Sequence, residues 1–99
     1  MTVELTISAE QRFNEVLFFY SEYMTEREVE HVNRSVREAL NFLSRHPRAG
    51  AYEELISIGK TRYRHWVVVN LKIIYYIKSD TLWVTDIFDS RQDPSRMKG

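Results

Sequence analysis

Cysteine is missing from this 99-residue chain. Its absence excludes disulfides and thiolate metal sites and makes a reducing, cytoplasmic setting the expected one. Glycine and proline are scarce, at three and two residues, and Gly50 and Gly59 are too isolated to form a phosphate-cradling loop. No apolar run approaches the ~20 residues of a membrane span. The opening Met1-Thr2-Val3-Glu4 has no basic and apolar leader, so secretion is not expected. Net charge is also absent, with 14 Lys and Arg against 14 Asp and Glu. Indiscriminate nucleic-acid binding, which calls for a strong basic excess, is therefore disfavoured.

What is present is aromatic and branched. Thirteen per cent of residues are Phe, Trp or Tyr and 43% are hydrophobic, the composition of one folded domain spanning residues 1–99 with a single modest core. Val3, Leu5 and Ile7 alternate with polar neighbours and predict a half-buried strand. Ser8 with Gln11 forms a capping box that predicts a helix start. Phe13, Val16, Leu17, Tyr20 and Met24 follow at helical spacing, and Phe18 and Phe19 widen the stripe enough to predict cover on more than one side. Thr25 with Glu28 is a second capping box, and Val29, Val32, Val36, Leu40 and Leu43 form the seam of the helix it opens. That helix should stop near Arg45-His46, because Pro47 cannot continue it. In the turn Pro47-Arg48-Ala49-Gly50, glycine is expected to supply a left-handed residue.

A β-meander is predicted next: residues 58–70, Lys72–Lys78 and Leu82–Phe88, with turns at Asn70 and Ser79-Asp80. From Ser57 to Ser79 there are five basic side chains and no acidic one. The order predicts an α+β fold, β-α-α-β-β-β, in which a helical hairpin covers one face of a mainly antiparallel sheet and leaves the other face open. Lys60, Arg62 and Arg64 are two apart, so on a strand they share a face with Trp66 and Val68. Such a row suits an acidic or phosphate-bearing partner, since guanidinium groups bind carboxylate and phosphate in bidentate fashion. Tyr63 and His65 have the opposite parity and, if that side meets the helices, are core residues with satisfied polar tips. Arg91 can reach over the sheet or pair locally with Asp89 or Asp93. Of Tyr75 and Tyr76, at least one must be core. His31 and His46 have no metal-ligand spacing, and nothing pairs Asp86 with Asp89 for acid–base chemistry, so no cofactor is expected.

The ordered set of features resembles the RelE/ParE family. It comprises the element order, Leu43-x-x-x-Pro47-x-x-Gly50 at the end of the second helix, the arginine-bearing strand, Lys72-Ile73-Ile74-Tyr75-Tyr76 and the closing Arg91-Gln92-Asp93-Pro94. The resemblance covers nearly the whole chain. It implies a toxin of a bacterial type II toxin–antitoxin (plasmid stabilisation) module, bound and neutralised by a cognate antitoxin. The Arg-Gln-Asp-Pro ending and zero net charge resemble the ParE-like branch, which implies DNA gyrase as target and no catalysis. The alternatives are a RelE-like endoribonuclease acting on mRNA at the ribosome, and a non-toxic partner with the same fold. For the nuclease, Arg62, Arg64 and Arg91 would hold phosphate charge while His65 or Tyr63 moves protons. The tail after Phe88 has neither the Tyr nor the His of the nuclease pattern. Lys60, Arg62, Arg64 and Arg91 are the expected partner-binding residues, and both a homodimer and a toxin–antitoxin hetero-oligomer are compatible with the resemblance.

Overall fold

The computed structural model describes residues 1–56, 58–91 and 98–99. The Gln92-Asp93-Pro94 part of the closing motif lies outside the described residues. Strand β1 (Thr2–Leu5) leads into α1 (Ile7–Ser21) and α2 (Glu26–Arg45), followed by β2 (Ala51–Tyr52), β3 (Arg64–Val68), β4 (Leu71–Lys78) and β5 (Thr81–Asp89). The sheet order is β1-β5-β4-β3-β2. All neighbours are antiparallel except β1, which runs parallel to β5 with Thr2 opposite Thr81 and Leu5 opposite Val84. The expected α+β layering is what the chain forms.

Helix α2 begins and ends where its sequence dictates. The Thr25 hydroxyl accepts from Glu28 N and the Glu28 carboxylate accepts from Thr25 N, both at 3.1 Å. His46 caps the far end just before Pro47. Helix α1 starts earlier than expected. Its N-cap is Thr6, whose hydroxyl accepts from Ala9 N at 3.1 Å, rather than Ser8. The Thr6 amide also donates to Val84 O at 2.9 Å, so pairing with β5 fixes where strand gives way to helix. Ile7 therefore begins the helix and is exposed instead of continuing β1.

Val16 and Tyr20 of α1 and Val32, Val36, Ala39 and Leu43 of α2 pack on Leu71, Ile73, Tyr75, Leu82, Val84 and Ile87. Phe18 and Phe19 depart from the expectation: they are 71% and 54% exposed, because α1 buries only the face that meets the sheet. The meander also differs. Its first strand runs only from Arg64 to Val68. Residues 58–63 turn back through a bridge between Ile58 and Thr61, with Gly59 at φ 59°. The second sheet face is consequently not fully open, since Ile56 and Tyr63 cover Ile74 there with Tyr76 alongside. Gly50 has no positive φ. It is needed for space: a Cβ there would lie 2.5 Å from Tyr75 Oη and 2.6 Å from His65 O.

Candidate functional site

Arg48, from the turn after α2, and four cations of the meander gather around one cleft. Tyr75 is fully buried and donates to Pro47 O at 2.8 Å while accepting from Gly50 N at 3.0 Å. This hydroxyl stitches the turn after α2 to β4. Arg64, which pairs with Tyr75 across the strands, donates to Gly50 O at 2.8 Å, Arg48 O at 3.1 Å and Tyr52 Oη at 3.1 Å. Its guanidinium carbon lies 4.3 Å from the centre of the Tyr52 ring, and that of Arg62 lies 4.0 Å away. One tyrosine thus carries two guanidinium groups, a stacked arrangement that cation–π attraction favours over separate solvation.

Around this stack lies a cleft of about 460 Å³ with Arg48, Lys60, Arg62, Arg64 and Lys78 in its walls. Among the described residues no carboxylate lines it. Lys60, Arg62 and Arg64 do converge, although not as the sequence suggested. Only Arg64 is on the strand with Trp66 and Val68. Lys60 and Arg62 arrive on the folded-back loop. Trp66 turns under the helical layer and stacks on Phe42 with ring centres 5.2 Å apart. Arg48, Tyr52 and Lys78 also belong to the site. They come from three separate turns and strands, and no sequence spacing links them. Tyr76, opposite in parity to core Tyr75, lines the cleft, as its position in the pair allows.

His65 does not enter the cleft. It faces away from the helices, with Nδ1 at 2.9 Å from Glu53 Oε2 but without the alignment of a formed hydrogen bond. Lys72 Nζ lies 3.2 Å from the same oxygen, and Leu55 N donates to the other at 3.1 Å. Burial would raise the Glu53 pKa, but Leu55 N, Lys72 and His65 outweigh it and hold the carboxyl below its usual range. Tyr63 is core, as expected, but on the face opposite the helices.

Arg91 lies at the other end of the strands from Arg64. Its neighbour Asp89 pairs with Leu71, whereas Arg64 pairs with Tyr75, a separation along β4 of about 13 Å. Arg91 makes the local pair: Nη2 to Asp89 Oδ2 at 2.7 Å and Nε to Oδ1 at 3.0 Å. Tyr20 Oη donates to the same carboxylate at 2.8 Å. Hydrogen bonds from Arg91, with one from Tyr20, keep the Asp89 carboxyl below the ordinary range despite its burial.

Asp86 is the other buried carboxylate of β5. Its Oδ2 accepts from Lys98 N at 2.8 Å, and Thr85 Oγ1 donates to Lys98 O at 3.1 Å. Arg12 Nε is 3.8 Å from Oδ1. Burial raises its pKa more than these contacts lower it. Among the described residues no cluster of His, Asp and Glu could hold a metal ion, and no helix is long and apolar enough to cross a membrane.

No family model and no curated protein matches the sequence. Among solved structures, the fold is similar to a chain of the "Chromosomal ParDE TA system from P. aeruginosa". That match has 12% identity and a TM-score of 0.71, and it covers 90% of this chain and 95% of that one. The two helices on a five-stranded mixed sheet are accordingly a RelE/ParE-like fold.

Proposed function

We propose that this chain is the toxin component of a type II toxin–antitoxin module, of the ParE-like kind. In this reading residues 1–99 act as one domain in the bacterial cytoplasm, arrest growth by binding DNA gyrase, and are neutralised by a cognate antitoxin. The observation that carries the reading is the fold shared with a ParDE chain over nine-tenths of the sequence. The cleft supports action by docking. Five cations around Tyr52, without a lining carboxylate among the described residues, suit an acidic surface or an acidic antitoxin segment.

Proton transfer would require an acid or base within hydrogen-bond reach of a bound phosphate. The described residues set His65 against Glu53, away from the cleft, and bind Arg91 to Asp89 at the other end of the strands. The nuclease alternative needs these groups together, so their separation favours the binding reading. Arg62 and Lys60 are exposed and available to a partner. Arg64 contributes charge while also fixing the turn.

Induced expression of the chain alone, with pulse-labelling of DNA and protein synthesis, tests this directly. An early fall in DNA synthesis, together with inhibition of purified gyrase, is the expected result. An early fall in protein synthesis with cut mRNA would overturn it in favour of the nuclease. Unaffected growth would overturn toxicity altogether.

A further inference from the structure

Arg48 stands in two walls at once. On one side it lines the Tyr52 cleft with Lys60, Arg62, Arg64 and Lys78. On the other it closes a second, apolar cleft of about 400 Å³ with Phe42, His46, Pro47 and Ala49, within the roughly 300–1,000 Å³ typical of ligand pockets. The turn that carries it is pinned. His46 N donates to Phe42 O at 2.9 Å, Ala49 N to His46 O at 3.0 Å, and Arg64 Nη1 to Arg48 O at 3.1 Å. The backbone between the two clefts is therefore organised before anything binds.

The two clefts differ in chemistry. Among the described residues Arg48, Lys60, Arg62 and Lys78 make no ion pair, and the Tyr52 ring holds the Arg62 and Arg64 guanidinium groups against it. Positive charge gathered without a carboxylate suits a compact polyanion, and guanidinium forks fixed in advance match phosphate oxygens. The apolar cleft is bordered by a ladder of rings. Trp66 stacks on Phe42 with centres 5.2 Å apart at 26°, and Phe42 meets His46 with centres 4.7 Å apart at 37°. His46 stands at one end of this ladder, one helical turn beyond Phe42, and is exposed. An exposed ring in that position offers a face to one more flat aromatic ring.

We propose that the two clefts together bind a nucleoside polyphosphate, with its phosphates against Arg48, Lys60 and Arg62 and its base stacked on His46. Arg48 is the hinge of the arrangement, facing the phosphates from the wall that the base also touches. A phosphate chain alone would fill half of this surface and a nucleoside alone the other half. The occupant is a small molecule rather than a protein, so the inference does not rest on the gyrase reading. Either can fail while the other stands.

The test is an NMR titration of the ¹⁵N-labelled full chain at ~0.15 M salt, where loose surface attraction is screened. The probes are adenosine triphosphate, inorganic tripolyphosphate, adenosine and a short single-stranded oligonucleotide, all without divalent metal. The expected result is saturable shifts with the nucleotide at the amides of His46, Arg48, Ala49, Gly50 and Arg62. Tripolyphosphate should bind ~tenfold more weakly, for want of a base to stack, and adenosine more weakly still. His46→Ala should bring the nucleotide down to the tripolyphosphate level while leaving tripolyphosphate itself unchanged, which also shows that the variant is folded. His46→Phe should keep the difference, and Arg48→Ala should weaken both ligands. Equal affinity of the unaltered chain for nucleotide and tripolyphosphate would overturn the inference by reducing the site to an unselective anion patch, whether or not any variant folds. Tighter binding of the oligonucleotide would overturn it by making the occupant a nucleic acid. No saturable shift, shifts that avoid His46 and Arg48, or an Arg48→Ala variant with both affinities intact would each overturn it as well.

Discussion

Replacing Tyr20 with phenylalanine removes one hydroxyl from the junction of α1 and β5. Tyr20 is 2% exposed, and its hydroxyl donates to Asp89 Oδ2 at 2.8 Å while receiving a longer bond of 3.3 Å from Arg91. A hydrogen bond to an ionised group contributes ~1.5–3 kcal/mol. Asp89 keeps its bonds from Arg91 in the variant, so a loss near the lower end, about 1.5 kcal/mol at neutral pH, is expected. The same burial, together with the neighbouring Asp89 carboxylate, raises the tyrosine pKa from 10.0 to about 12. A folded pKa above the unfolded one gives stability that is complete below pH ~10 and declines as pH rises toward 12. The decline reaches about 1.4 kcal/mol by pH 11 and at most about 2.7 kcal/mol beyond pH 12.

Phenylalanine has no such proton to lose. Urea melts of both proteins between about pH 8 and pH 11 should therefore show the gap of about 1.5 kcal/mol closing almost to zero. Tyr63 and Tyr75, whose pKa values are also raised chiefly by burial, titrate alike in both proteins and cancel. A gap that stays constant across this range would refute the reasoning, because it would mean that the hydroxyl does not ionise with an elevated pKa at this site.

Gly50→Ala should destabilise by ~1–3 kcal/mol through forced movement of Tyr75 or the turn, read as a lower urea midpoint at unchanged slope. Arg62→Ala should weaken partner binding with stability nearly intact, whereas Arg64→Ala should lose both, since Arg64 donates to Gly50 O and Arg48 O; paired melts and binding titrations separate the two roles. Asp86→Asn should raise stability near pH 7, because burial lifts the pKa of the native carboxyl and its ionised form is disfavoured in the folded state. Here the sign runs opposite to Asp89, so the gain should vanish as pH falls below the unfolded value of ~3.9, which melts at low pH would reveal.

The parts of the fold governed by local chemistry were legible in the sequence. Thr25 with Glu28 and the stop at Pro47 bound α2 closely, and its valine and leucine seam is the buried one. Local chemistry was misleading wherever a distant strand decided the outcome. Ser8-x-x-Gln11 is the better isolated cap, yet Thr6 is anchored by Val84 and takes the role. Residues 58–63 alternate like a strand, but Gly59 adopts a positive φ and the loop folds over Ile74 to bury Tyr63. The candidate site was half visible. The run Lys60, Arg62, Arg64 is evident in sequence, while Arg48, Tyr52 and Lys78 join it only through the turn after α2 and the end of β4. Arg91 illustrates the converse: a cation available in sequence is taken up by the carboxylate two residues before it.

The placement of β5 between β1 and β4 has a consequence for the birth of the molecule. Thr2–Leu5 finds its partner only in Thr81–Val84. At roughly 5–20 residues per second of synthesis, the first strand waits roughly 4–15 s for its ladder to exist. During that interval α1 and α2 can form as helices but have no finished sheet to cover, so Val16, Val36 and Leu43 remain open to chaperones or to any protein made nearby. The parallel closure of the amino end onto the last strand thus acts as a timer: the finished surface, with both of its clefts, comes into being only once β5 has left the ribosome.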